Sequence, residues 1–265
     1  MKHKIETEKE NKDLKHQRKD IIYKLYKFRF LNRVHVQRML NQKHFKQVIR
    51  LLNDLTKKGY INREFTRKFG GVPAVYSLSK KSITTIRDWE GIRPELLNRL
   101  YREDERTEIF KKHCQFVADI HLSLITFAKA HKSTLHYYGK SDIEGMQHLI
   151  VPEPDIYFVL EENKDNIKRY FLDVFDEQIP KEGLYKRAKQ YFDYYQDAKW
   201  QDNTKKPFPE IILVCPNSRA KNQMRGIVTT MLKRETDEVV IHLSTWEEIK
   251  RHGIKKEVLH KVEVK

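Results

Sequence analysis

Two acidic residues set among hydrophobes, Asp155 and Asp173, are the first candidates for chemistry in this chain. Each lies in an aromatic-rich apolar run of "PEPDIYFVLEENKDNIKRYFLDVFDEQIP", Pro152 to Pro180, and the polar stretch "ENKDN" separates the runs. Two strands joined at that break would make a hairpin. Carboxylates converging from such a hairpin could hold Mg²⁺ or Mn²⁺, hard ions that take oxygen ligands, and a metal so held polarises a phosphate and activates water. The competing reading is an ordinary hairpin with edge or turn carboxylates. Register separates the two, because successive strand residues face opposite sides. A symmetric four-residue loop at "NKDN" would set Asp155 opposite Val174 and part the acids. A loop of odd length, or a bulge, would set Asp155 opposite Asp173. The second arrangement is expected, with Glu108 or His113 nearby.

The elements that must position this pair are legible from periodicity. "ERTEIFKKHCQFVADIHLSLITFAKAH" reads as one long helix whose shared face carries Ile109, His113, Phe116, Ile120 and Leu124, with Glu105 and Glu108 near its first turns. His113 on that face also fits a satisfied core histidine. "TLHYYG" is a strand ahead of the hairpin. "PKEGLYKRAKQYFDYYQDAK" follows as a helix with Leu184, Ala188, Tyr191 and Tyr195 along one side. "PEIILVCPN" is a short, wholly apolar run, the pattern of a strand buried on both faces. "SRAKNQMRGIVTTMLKRE" is a helix, "EVVIHLS" a strand, and "TWEEIKRHG" a terminal helix closed by Gly253. Helix, three strands, helix, strand, helix, strand, helix describes a mixed-sheet α/β domain, placed over residues 100–265.

At 265 residues the chain has room for two small domains. Its net charge is +16, unevenly spread. Residues 1–90 hold 23 Lys/Arg and 9 Asp/Glu, or +14, and the remaining 30 Lys/Arg and 28 Asp/Glu give +2. An excess confined to one region points to a polyanionic partner, and nucleic acid is favoured over an anionic membrane surface or mere solubility. No apolar run approaches the roughly 20 residues of a bilayer span. The charged start, residues 1–19, has no apolar centre and is read as a disordered lead-in, not a signal peptide. Cys114 and Cys215 sit in apolar runs without metal-ligand spacing, as buried reduced thiols do. A cytoplasmic location is expected.

Residues 20–90 hold the excess charge. "DIIYKLYKFRFL" has Ile21, Leu25 and Phe28 at helical spacing. "NRVHVQRMLN" opens on a capping residue, Asn32, and offers Val34, Met39 and Leu40 as a short second helix. "KHFKQVIRLLNDLTKKGY" places Phe45, Ile49, Leu52 and Leu55 on one stripe, ended by Gly59, with Lys43, His44, Lys46, Gln47 and Arg50 opposite. "YINREFTRKFGGVPAVYSLSK" alternates on both sides of Gly70-Gly71, as a hairpin does. Three helices and a basic hairpin follow the order of a winged helix-turn-helix, whose third helix enters the major groove while the wing touches the backbone or minor groove. Arg63, Arg67 and Lys68 would lie on the wing. Such domains also serve as protein-interaction modules, but here helix and wing are both basic.

The element order of residues 100–265 is similar to the core of restriction-endonuclease-like folds, whose nucleases carry a PD-(D/E)xK signature across a hairpin. Pro154-Asp155 matches the "PD" and "LDV" supplies the second acid, but Phe175 stands where the Lys belongs. The helix-to-wing passage "LLNDLTKKGYINR", "YSLS", "RTEIFKKHCQFVADIHLSL", "PEPDIYFV", "YFLDV", "EIILVCPNSRAKNQMRGIV" and "IHLSTWEEIKRHG" together resemble the replication-relaxation family of plasmid and other mobile-element proteins, which look similar to MobC-type relaxases. The resemblance implies binding of double-stranded DNA at an origin region, alongside other relaxosome or replication proteins. It maps the family's helix His onto His113 and its two acids onto Asp155 and Asp173. The missing Lys would have to be replaced from the following helix by Lys181, Lys186 or Lys189, of which Lys189 is the expected one. Without it, metal-dependent nicking is expected to be slow at best. Two functions remain open: a relaxase-like nickase, or an origin-binding accessory or transcriptional regulator whose degenerate nuclease domain serves docking or homodimerisation.

Overall fold

The computed structural model describes residues 16–65, 73–149, 151–164, 166–236 and 238–264. The chain divides into two compact units, residues 1–118 and 119–265.

In the first unit, helix α1 (His16–Phe28) buries Ile21, Ile22, Leu25, Tyr26 and Phe28. Strand β1 (Leu31–Asn32) leads into α2 (Arg33–Met39), and Asn32 caps it by accepting from the Val34 and His35 N–H groups. Helix α3 (Phe45–Lys57) and strands β2 (Ile61–Glu64) and β3 (Val75–Leu78) follow, the strands forming an antiparallel sheet in the order β1-β3-β2. Two expected apolar stripes are displaced. α2 buries His35 and Val36 while Val34 is exposed, because positions two apart lie about 200° apart around a helix and burying Val36 turns Val34 outward. α3 buries Val48, Leu51, Leu52 and Leu55, whereas Phe45 is 52% exposed and Ile49 only half-buried. A stripe starting at Val48 satisfies the helical period as well as one starting at Phe45, and it frees the first turn. The expected turn at Gly70-Gly71, with Arg67 and Lys68, lies outside the described residues.

Helix α5 (Glu108–Ala130), preceded by the short α4 (Lys80–Ile86), spans the division between the units. The second unit is a six-stranded mixed sheet: β4 (Thr134–Gly139), β5 (Ile156–Asn163), β6 (Asn166–Val174), β7 (Glu210–Cys215), β8 (Ile241–Thr245) and β9 (His260–Lys261), neighbours in that order. β4, β5 and β6 are antiparallel, β6, β7 and β8 parallel, and β9 antiparallel. Helices α6 (Lys181–Gln196), α7 (Ser218–Arg234) and α8 (Trp246–His252) alternate with the later strands in the sequence-predicted order. The alternation of strand side chains builds the core. Tyr157, Phe171, Ile211, Leu213, Ile241 and Leu243 form one face, packed with Leu184, Ala188 and Tyr191 of α6 and Met224 and Val228 of α7. β7, flanked by parallel neighbours, buries five of its six residues, as an apolar run without alternation requires. Both cysteines are buried thiols outside any disulfide. No helix among the described residues is long and apolar enough to cross a membrane.

One charged strap ties the last elements together. Glu248 reaches back to the Thr245 N–H (2.7 Å) in a capping box and accepts Lys221 Nζ on both oxygens, at 2.7 and 2.8 Å. Burial alone would raise this carboxyl, but Lys221 and Thr245 outweigh it and hold the pKa at about 2, against an ordinary 4.5. The unfolded chain therefore binds more protons in that range, so the strap's stabilisation is complete above about pH 4.5 and is lost as pH falls toward 2. Glu248→Gln should flatten the acid limb of the stability profile across that window. An acid limb unchanged in the variant would assign the strap no share of it.

Candidate functional site

The hairpin solves the register problem with a bulge. Asn163 pairs with Asn166 at its tip, a phase that would carry Asp155 opposite Val174. The pairing then shifts by one between Glu161 and Asn163, so Glu161 faces Ile167 and Ile156 faces Leu172. One residue further out, Asp155 lies across from Asp173. Their proximity is visible in two bonds: the Asp155 N–H donates to Asp173 Oδ1 (3.2 Å), and the Val174 N–H donates to Asp155 Oδ2 (2.8 Å). The loop is two residues, Lys164 and Asp165, not the four of the symmetric alternative, and Asp165 lies outside the described residues.

What meets the pair is a guanidinium. Asp173 continues the apolar face of Phe171 and is 3% exposed, where an ionised carboxylate is costly unless paired and hydrogen-bonded. Arg187 sits within the buried stripe of α6, between Leu184 and Tyr191, and packs down onto it. Its Nε donates to Asp173 Oδ2 (2.5 Å) and its Nη2 to Oδ1 (2.7 Å), the two-pronged geometry that gives guanidinium–carboxylate pairs their specificity. Nη2 also donates to the Glu153 carbonyl (2.8 Å) and Nη1 to Gln190 Oε1 (3.0 Å). The Tyr191 hydroxyl adds a bond to Asp173 Oδ2 at 2.8 Å. Burial would lower the Arg187 pKa, but Asp173, Tyr191 and Asp155 outweigh it and raise it, so the cation is fixed. Burial, with Asp173 adding to it, likewise pushes Tyr191 well above the usual phenol range, which keeps it a donor. A second cation, Lys140 from the turn after β4, stands 3.7 Å from Asp155 Oδ1 and donates to the Glu153 carbonyl at 2.8 Å.

This arrangement does not fit Mg²⁺ or Mn²⁺. Each Asp173 oxygen already accepts two hydrogen bonds, which exhausts the roughly four acceptor positions of a carboxylate. A divalent ion would have to displace Arg187 and sit beside Lys140. Among the described residues no group of three or more His, Cys, Asp or Glu is placed to hold a metal ion.

Glu108, His113 and Lys189 each have contacts of their own. Glu108 accepts from Lys111 (3.0 Å), whose ammonium also holds both oxygens of Glu64 at 2.6 Å. His113 is stacked near Phe110. Both lie in the first unit. Lys189 pairs with Asp193 and, at 3.6 Å, with Glu235; the cation from α6 is Arg187. Sequence reasoning missed Arg187 and Lys140. For Arg187 a signal existed, since positions 184, 187, 188 and 191 form one helical stripe and an arginine inside it requires a buried acid. Lys140 had none.

On the first unit, Lys43, His44, Lys46, Gln47 and Arg50 are all exposed along α3 and the turn before it. Gln47 donates to Gln17 (3.3 Å), and Arg63 donates to Asn53 (3.1 Å) while its guanidinium lies 4.4 Å from the Phe65 ring centre.

The first unit is thus basic, and the second is a mixed-sheet α/β unit whose hairpin brings two carboxylates together. The model of the replication-relaxation family matches residues 22–211, more than half of the chain, and the protein belongs to that family. No curated protein matches it. Among solved structures, the restriction endonuclease FokI aligns with 91% of this chain at 13% identity and a TM-score of 0.31. The chain spans 45% of that enzyme's length.

Proposed function

We propose that the protein binds duplex DNA at a replication or mobilisation origin of a plasmid or other mobile element, in the cytoplasm, and that it binds without cutting. Residues 20–90 act as a winged helix-turn-helix: α3 and the turn before it present Lys43, His44, Lys46, Gln47 and Arg50 to the major groove, and β2 presents Arg63. The +14 charge of residues 1–90 supports a polyanionic partner, and family membership supports an origin as the place. The α/β unit serves as a nuclease-like scaffold for docking other relaxosome or replication proteins. The observation that carries binding over nicking is the saturation of Asp173 by Arg187, Tyr191 and the Asp155 N–H.

Titration of origin duplex with the full chain in EDTA tests this. Binding should persist without divalent metal and weaken steeply with salt, because each neutralised phosphate releases counterions. Binding that requires Mg²⁺, or that ignores salt, would reject it.

A further inference from the structure

A second candidate surface of the second unit lies on helices α6 and α7. α6 and α7 bury their inner faces against the sheet, and between their outer faces lies a groove of about 480 Å³, walled by Lys181 and Tyr185 of α6 and by Asn222, Gln223 and Arg234 of α7. Tyr185 is 52% exposed there, while Tyr191 and Tyr194 on the same helix are buried. Gly226 opens the floor. It sits mid-helix, where glycine is unfavourable relative to alanine, yet a Cβ at this position would meet no atom within 4 Å. Packing inside the chain therefore does not require that glycine. α7 carries Arg219, Lys221, Arg225, Lys233 and Arg234 and no acidic residue. Of the acids beside it, Glu248 is held by Lys221, and Glu235, at the groove's end, lies 3.6 Å from Lys189.

The geometry points to this groove as a binding site for single-stranded DNA, an unpaired base stacking on Tyr185 while Lys181 and Arg234 hold the flanking phosphates. Positive charge selects a polyanion over an apolar partner helix. An exposed ring selects a strand over a duplex, because only an unpaired base offers its face for stacking. Asn222 and Gln223 supply donors and acceptors for base edges. The inference rests on the DNA-binding function proposed above and adds the strand that origin melting would release.

The test uses the full chain, a labelled mixed-sequence single strand of about 16 nucleotides and the matching duplex. Tyr185→Ala and Gly226→Leu should each weaken single-strand binding about tenfold or more, with duplex binding held within about twofold. Tyr185→Phe, which keeps the ring, should bind as wild type does. Gly226→Leu fills the groove with a better helix former, so its melting temperature should stay level or rise while binding falls. Single-strand affinity unchanged in Tyr185→Ala and Gly226→Leu would overturn the site, as would equal losses on strand and duplex. Displacement of the strand by poly-glutamate at equal charge would also overturn it, marking a surface for acidic protein. A wild-type chain that binds the single strand but not the duplex would instead remove the origin-duplex function and leave the groove standing.

Discussion

Arg187→Ala is expected to destabilise the protein by about 3–5 kcal/mol, the cost typical of leaving one partner of a buried ion pair alone. That is a large share of the roughly 5–15 kcal/mol that holds a folded protein. The magnitude follows from the place of Asp173: 3% exposed, at the end of an aromatic core, with two of its four hydrogen bonds supplied by the guanidinium. Removing Arg187 leaves the charge with Tyr191 and one backbone N–H. Arg187→Lys keeps charge but loses the fork and should fall between. The discriminating variant is Arg187→Met with Asp173→Asn, which removes both charges and should be more stable than Arg187→Ala alone, since deleting a pair costs less than orphaning one member. Urea denaturation followed by tryptophan fluorescence reads all three. Equal losses in the single and double variants would mean that Arg187 contributes packing and not charge.

Lys46→Ala with Arg50→Ala should lower affinity for origin duplex roughly 30-fold at 0.15 M salt, because two phosphate contacts each contribute a slope of about 0.9 in log affinity against log salt. The salt slope itself should shrink by about 1.8. Both side chains are exposed on α3, one turn apart and away from Val48, Leu51, Leu52 and Leu55, so stability should move by no more than about 0.5 kcal/mol. A full affinity and slope at unchanged stability would move the DNA-contacting surface off α3.

Much of the fold was legible because strong patterns had one solution. The Leu184, Ala188, Tyr191 stripe, the unbroken "IILVC" and the Asn32 cap all appear where periodicity and capping chemistry put them. Phase was harder where two stripes fit one helix, as with Phe45 and Val48. The convergence of Asp155 and Asp173 depended on a single bulged position between Glu161 and Asn163. A bulge leaves no mark in a run of alternating residues, so alternation alone leaves two registers; the expected one, with Asp155 opposite Asp173, is the one that the bulge produces. The occupant of the site was half-visible. The absent motif lysine points to Lys189 on the outer face, while Arg187 stands in the buried stripe two residues earlier. Lys140 reaches Asp155 only through the turn after β4, a tertiary contact that local pattern does not encode.

Whether this hairpin cuts DNA is most directly measured on supercoiled plasmid carrying the element's origin, incubated with the full chain and Mg²⁺ or Mn²⁺. With Asp173 saturated by Arg187, Tyr191 and the Asp155 N–H, the DNA should be retarded in a native gel and return as fully supercoiled circles once SDS and EDTA strip the protein. Nicked circles that accumulate only with metal, and disappear in Asp173→Asn while retardation persists, would contradict a closed site.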